Sequence, residues 1–147
     1  MRKRKFNVNA KGFSKINLAY LAYCSNLVYR TKEEIKNELT EQGFNLERDN
    51  YFFSDEETDT QCFIAGDKNK IIIAFRGTEG KLADWKTNMR FSKGFWPARK
   101  SFGRIHNGFN NAIKSIWPNI QKELIQLYTH NQSIWLTGHS LGGALTT

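Results

Sequence analysis

Ile71, Ile72, Ile73, Ala74 and Phe75 are five apolar residues in unbroken succession. The run is too short for a convincing helix, and it lacks the alternation of a strand with one wet face. It fits a strand buried on both sides, which needs cover above and below its sheet. Gln61 to Ala65 is a second β-rich run. The turn residues Gly66 to Asn69 separate the two, which predicts a hairpin.

Helical periodicity brackets this hairpin. Ile16, Ala19, Tyr20, Tyr23, Leu27 and Val28 recur at helical spacing between Ser14 and Tyr29. Thr31 and Glu34 form a capping box that starts a second helix, which should run to about Gln42 and stop at Gly43. Residues 44–60 are polar and carry Asp55, Glu56, Glu57 and Asp59 without calcium-loop spacing, so a solvated loop is expected. Apolar residues return at helical spacing from Asn107 to about Tyr128. Pro118 within them predicts a kink or a second helix start. Ser133 to Thr137 is β-rich, and a helix should begin at Leu141. Strands alternating with helices indicate an α/β sheet, and residues 76–132 are long enough for a crossover between parallel strands.

The chain has 147 residues, which fits one domain, 1–147. Hydrophobic residues at 39% and charged residues at 24% describe a globular chain, not a disordered one. A net charge of +8 suits an acidic partner such as an anionic membrane surface, or serves solubility alone. No nucleic-acid-binding motif accompanies the charge, so no nucleic acid partner is expected. Cys24 and Cys62 lack zinc-site spacing, so no metal is expected; they could pair or stay as buried thiols. No apolar stretch reaches membrane-spanning length, and the basic start from Met1 to Lys5 leads into no clean signal sequence. A cytoplasmic location is the expectation.

Gly138-His139-Ser140-Leu141-Gly142 matches the GxSxG nucleophile-elbow pattern. A serine at a sharp strand-to-helix turn projects its hydroxyl above the sheet. Gly138 and Gly142 lack Cβ atoms, which lets strand and helix approach around the turn. The helix start offers free N–H groups and a positive dipole end to a developing oxyanion. Acyl transfer needs two such donors. Leu141 N–H is one candidate. Thr78, in Arg76-Gly77-Thr78 directly after the buried strand, is the other.

In their order and spacing these motifs resemble the class 3 lipase family, the fungal-type lipases and their bacterial relatives. The matching residues are Ile73 to Thr78, Asp84-Trp85, His106 to Phe109 and Trp135 to Leu145. The resemblance spans about residues 60 to 147. It implies a partial α/β-hydrolase fold with a mostly parallel central sheet and flanking helices. It also implies hydrolysis of lipid or other carboxylic esters without a cofactor. By position it makes Ser140 the nucleophile and Thr78 and Leu141 the oxyanion-hole residues. It sets a lid after Thr78, where residues 79–104 are rich in Lys, Arg, Trp and Phe.

The family's catalytic Asp and His follow the serine. Only seven residues follow Ser140 here, and none is Asp or His. His106, His130 and His139 are poor replacements by position. A serine without its base is a weak nucleophile. The expectation is therefore an N-terminal part of a longer enzyme, ending just after the elbow and inactive by itself, with an open apolar edge on its sheet. The competing expectation is a non-catalytic lipid- or membrane-binding module built on the basic aromatic segment 81–104.

Overall fold

The computed structural model describes residues 3–46, 49–77 and 107–147, with backbone alone for 93–95 and 104–106. Helix α1 spans Lys15–Leu27, and Ser14 caps it by accepting the Asn17 N–H at 3.3 Å. Helix α2 spans Lys32–Glu41. Its capping box forms as the sequence predicts. Thr31 Oγ1 accepts the Glu34 N–H at 3.3 Å, and Glu34 Oε2 accepts the Thr31 N–H at 3.0 Å. Gly43, at φ 90°, takes the left-handed conformation that ends the helix.

Three strands follow: β1 at Phe52–Asp55, β2 at Thr60–Gly66 and β3 at Lys70–Phe75. The short strands β4 (Lys93–Phe95) and β5 (Arg104–His106) pair antiparallel in a sheet of their own. Helix α3 spans Asn107–Leu127, strand β6 Ser133–Gly138 and helix α4 Leu141–Ala144. Pro118 lies inside the continuous α3, so no second helix starts there.

The main sheet has the order β1-β2-β3-β6. The pairings β1·β2 and β2·β3 are antiparallel, and β3·β6 is parallel, with Phe75 opposite Gly138. The sheet is thus mixed, and the parallel character expected from the sequence is found at the β3·β6 crossover. The segment 44–60 departs further from expectation, because β1 stands where a solvated loop is predicted. Its sequence hides the strand for two reasons. β1 is only four residues long. The acidic cluster next to it is turn chemistry: Asp55 Oδ1 accepts the Thr58 N–H at 2.8 Å and the Thr58 hydroxyl at 2.7 Å.

The alternation of β2 and β3 divides the core in two. Phe63, Ala65, Ile72 and Ala74 face α1 and α2 and join Tyr20, Cys24, Leu27, Ile35 and Leu39. Cys62, Ile64, Ile71, Ile73 and Phe75 face the other way and pack with Ile116 and Ile120 of α3. All six residues of β3 are buried, as its unbroken apolar run requires. Each large aliphatic or aromatic side chain fully buried this way contributes about 1.5–3 kcal/mol. The two cysteines lie in different clusters on opposite sides of the sheet, and both are free thiols. Burial pushes the Cys24 thiol up to about 12 and raises that of Cys62 further.

Lys70 opens β3 and is only 7% exposed. Its ammonium pairs with the Asp67 carboxylate and lies 4.7 Å from the ring centroid of Phe44 and 5.4 Å from that of Phe6. Burial alone would raise the pKa of Asp67. Hydrogen bonds from Lys70 and from the Asn69 N–H outweigh it and hold the carboxyl below its ordinary value. The N-terminal segment is thereby fastened to the sheet through Phe6, which also meets Trp135 of β6 edge-on at 5.1 Å. Among the described residues, no helix is long and apolar enough to cross a membrane.

Candidate active site

The parallel pairing of β3 and β6 brings their carboxyl ends side by side, Phe75 opposite Gly138. Ligand sites in α/β sheets form beyond such ends. α1 holds β6 in place from one face, where the Thr137 hydroxyl donates to the Leu21 carbonyl at 3.0 Å. Beyond Gly138 the chain reverses sharply. Ser140 sits at φ 55° and ψ −120°, a conformation that side chains rarely adopt and that costs about 1–3 kcal/mol. The turn closes through Gly142 N–H to His139 carbonyl at 3.0 Å and Gly143 N–H to Ser140 carbonyl at 3.0 Å.

Close approach explains the two elbow glycines. A Cβ on Gly138 would stand 2.4 Å from the Gly142 carbonyl oxygen. One on Gly142 would stand 2.3 Å from the Phe75 carbonyl oxygen. The end of β3, the end of β6 and the start of α4 therefore meet backbone to backbone. Gly77 belongs to the same junction. A Cβ there would lie 2.4 Å from the His139 carbonyl oxygen and 3.4 Å from Ser140 Cβ. The loop after β3 thus lies directly against the elbow, as the sequence predicts.

Among the described residues, none accepts a hydrogen bond from the Leu141 N–H, and none bonds the Ser140 hydroxyl. The first is an open donor one residue after the serine; the second is a hydroxyl without a hydrogen-bond partner among the described residues. α4 begins at Leu141, directly after the serine. Thr78 and the segment 79–92 lie outside the described residues, as do 96–103.

The three histidines are placed as follows. His139 turns its Nδ1 toward the Tyr29 hydroxyl at 3.4 Å. His130 precedes β6, at the strand end remote from Ser140, and stacks edge-on with Tyr128 at 5.1 Å. For His106 only the backbone is described, paired with Lys93. No group of three or more His, Cys, Asp or Glu able to hold a metal occurs among the described residues. A cavity of about 260 Å3 bounded by Tyr51, Ile64, Glu123 and Leu127 includes no elbow residue.

Sequence reasoning missed Tyr29. It follows α1, and its hydroxyl accepts the Gly77 N–H at 3.0 Å across 48 positions of sequence. No local pattern signals such a contact.

A serine held at positive φ between a parallel strand and a helix, in a sheet with helices packed on each face, defines the α/β-hydrolase class. Residues 72–147, just over half of the chain, match the family model Lipase (class 3), and the chain belongs to the class 3 lipase family. Solved structures share the fold. One is a triacylglycerol lipase described as having a serine protease triad as its catalytic centre. It has a TM-score of 0.62 at 20% identity over 91% of this chain and 54% of that one. The Rhizomucor miehei triacylglyceride lipase gives the same values. Lipase II from Rhizopus niveus gives a TM-score of 0.57 at 18% identity, again over 91% and 54%. This chain spans about half the length of these lipases. No curated protein sequence matches it significantly.

Proposed function

We propose that Ser140 is the nucleophile of a lipase-type hydrolase acting on lipid carboxylic esters. Its Oγ adds to the ester carbonyl carbon as its proton passes to a base, and the carbonyl oxygen becomes an oxyanion. The N–H groups of Leu141 and Thr78 receive that oxyanion. Collapse expels the alcohol and leaves acyl-Ser140, which water then hydrolyses to the fatty acid. No cofactor enters any step. The observation that carries this reading is Ser140 at φ 55° beside an open Leu141 N–H. Membership of the class 3 lipases supports the lipid ester as substrate.

In a serine protease triad, as described for the solved triacylglycerol lipase, a His accepts the proton and an Asp orients the His. Residues 141–147 contain neither, and no described His bonds Ser140. Residues 1–147 by themselves are therefore expected to turn over esters at no more than residual rates. An alkylboronic acid separates the nucleophile from its activation. Boron accepts the serine oxygen and becomes a tetrahedral anion, whose oxygen occupies the oxyanion position. Hexylboronic acid at millimolar concentration should give a tetrahedral boron-11 resonance with the protein and none with Ser140→Ala. Equal spectra for both would refute Ser140 as the nucleophile.

An anionic membrane surface is the proposed place of action, on the strength of the net charge of +8 and the basic aromatic sequence 81–104. Binding to anionic vesicles should exceed binding to neutral ones and weaken with salt. Salt-insensitive binding to both would remove this part. Vesicle binding without any boronate adduct would instead favour the non-catalytic lipid-binding module.

A further inference from the structure

We propose that Tyr29 is a positioning residue that fixes the oxyanion-binding loop against the nucleophile elbow through its hydroxyl. The proposal rests on Ser140 acting as the nucleophile.

Three contacts converge on this side chain. Its Oη accepts the Gly77 N–H at 3.0 Å. It stands 3.4 Å from Nδ1 of His139, the residue before Ser140, and the two rings meet edge-on at 6.4 Å. The Arg76 guanidinium lies 5.5 Å from its ring centroid. One hydroxyl thus touches both halves of the junction, the loop leaving β3 and the turn leaving β6. β3 and β6 are registered by their ladder only as far as Phe75 and Gly138. Beyond that point the pairing stops, and Gly77 and the Leu141 N–H lie in the unpaired part. Gly77 immediately precedes Thr78 and has no room for a Cβ, which would come 2.6 Å from Tyr29 Oη. Tyr29 supplies the bond that continues the registration past the end of the ladder. An oxyanion donor displaced by a fraction of an ångström loses much of its effect, because preorganisation is what makes it useful. Because Oη accepts from Gly77, its own proton points elsewhere, with His139 Nδ1 in reach, so the tyrosine couples the two segments.

The competing account is that Tyr29 only packs against the core, in which case its ring matters and its hydroxyl does not. Two variants of the full chain separate these, Tyr29→Phe and Tyr29→Leu, titrated with hexylboronic acid and followed by boron-11 NMR. A positioning hydroxyl predicts that Tyr29→Phe weakens the Ser140 adduct about tenfold, the effect of one well-placed hydrogen bond, and as much as Tyr29→Leu does. It also predicts that the Gly77 amide proton of the unmodified chain is protected from exchange and loses protection in Tyr29→Phe. An adduct of unchanged affinity in Tyr29→Phe overturns the proposal and leaves the hydrolase reading standing. An unprotected Gly77 amide in the unmodified chain overturns it too, whether or not either variant folds. No Ser140-dependent adduct in the unmodified chain sinks the hydrolase reading, and the role of Tyr29 with it.

Discussion

β3 and β6 lie side by side in parallel register, Ile73 opposite Leu136, yet they live in different surroundings. Ile73 is 2% exposed and Leu136 is 46% exposed. Ile71 and its partner Ile134 show the same contrast, 0% against 44%. Both strands present β-formers, and the paired residues occupy the same face of the sheet. The difference is cover. β3 has a strand on each side and α3 packed across it through Ile116 and Ile120, while β6 has a strand partner on one side only among the described residues. Strand propensity made both elements; helix placement decided which of them became core. The site lies where the two meet, and the elbow glycines belong to that junction.

The largest test of this contrast is in β3. Ile73→Ala should cost about 3–4 kcal/mol, since it empties a site that helix and sheet enclose. Urea unfolding would measure it, and a loss below 1 kcal/mol would mean that the α3 face is loosely packed.

The Lys70–Asp67 pair at the amino end of β3 comes next. Asp67→Asn should cost about 3 kcal/mol by leaving the Lys70 ammonium buried without its counter-charge. The folded carboxyl titrates below its unfolded value, so the stabilisation is fully present above the unfolded pKa of about 4 and is lost as pH falls through the folded one. Unfolding curves of the two proteins should therefore converge as pH is lowered through that window. A constant gap at every pH would assign the loss to packing.

At the carboxyl end, Ser140→Gly should raise stability by about 1 kcal/mol. It relieves positive-φ strain of about 1–3 kcal/mol, offset by the greater chain entropy of glycine in the unfolded state. The same change should abolish the proposed boronate adduct, so stability and adduct formation are expected to move in opposite directions. A destabilised variant would show that Ser140 is not strained.

The smallest effect is expected on β6. Leu136→Ala should cost under about 1 kcal/mol, because nearly half of the side chain already meets solvent. A cost equal to that of Ile73→Ala would show that this face of β6 is covered in solution.

Much of this was legible beforehand. Five consecutive apolar residues fit a doubly covered strand, and β3 is one. The Thr31–Glu34 box, the Gly43 stop and the strand running into Ser140 are local patterns of a few residues, so the chain states them directly. The short strand β1 was not legible, since four residues beside an acidic turn carry too little pattern to stand out from a loop. Nor was the burial of Lys70, whose charge reads as surface until Asp67 and the rings of Phe6, Tyr20 and Phe44 are assembled around it.

The sequence by itself determined most of the elements and the strand-to-helix turn at Ser140, because caps, turns and strand runs depend on neighbours within a few bonds. Only the tertiary structure decided which donor faces which acceptor across the junction. Tyr29 meets Gly77 across 48 positions and His139 across 110. Contacts of that separation are set by the packing of α1 on the sheet and leave no periodicity behind.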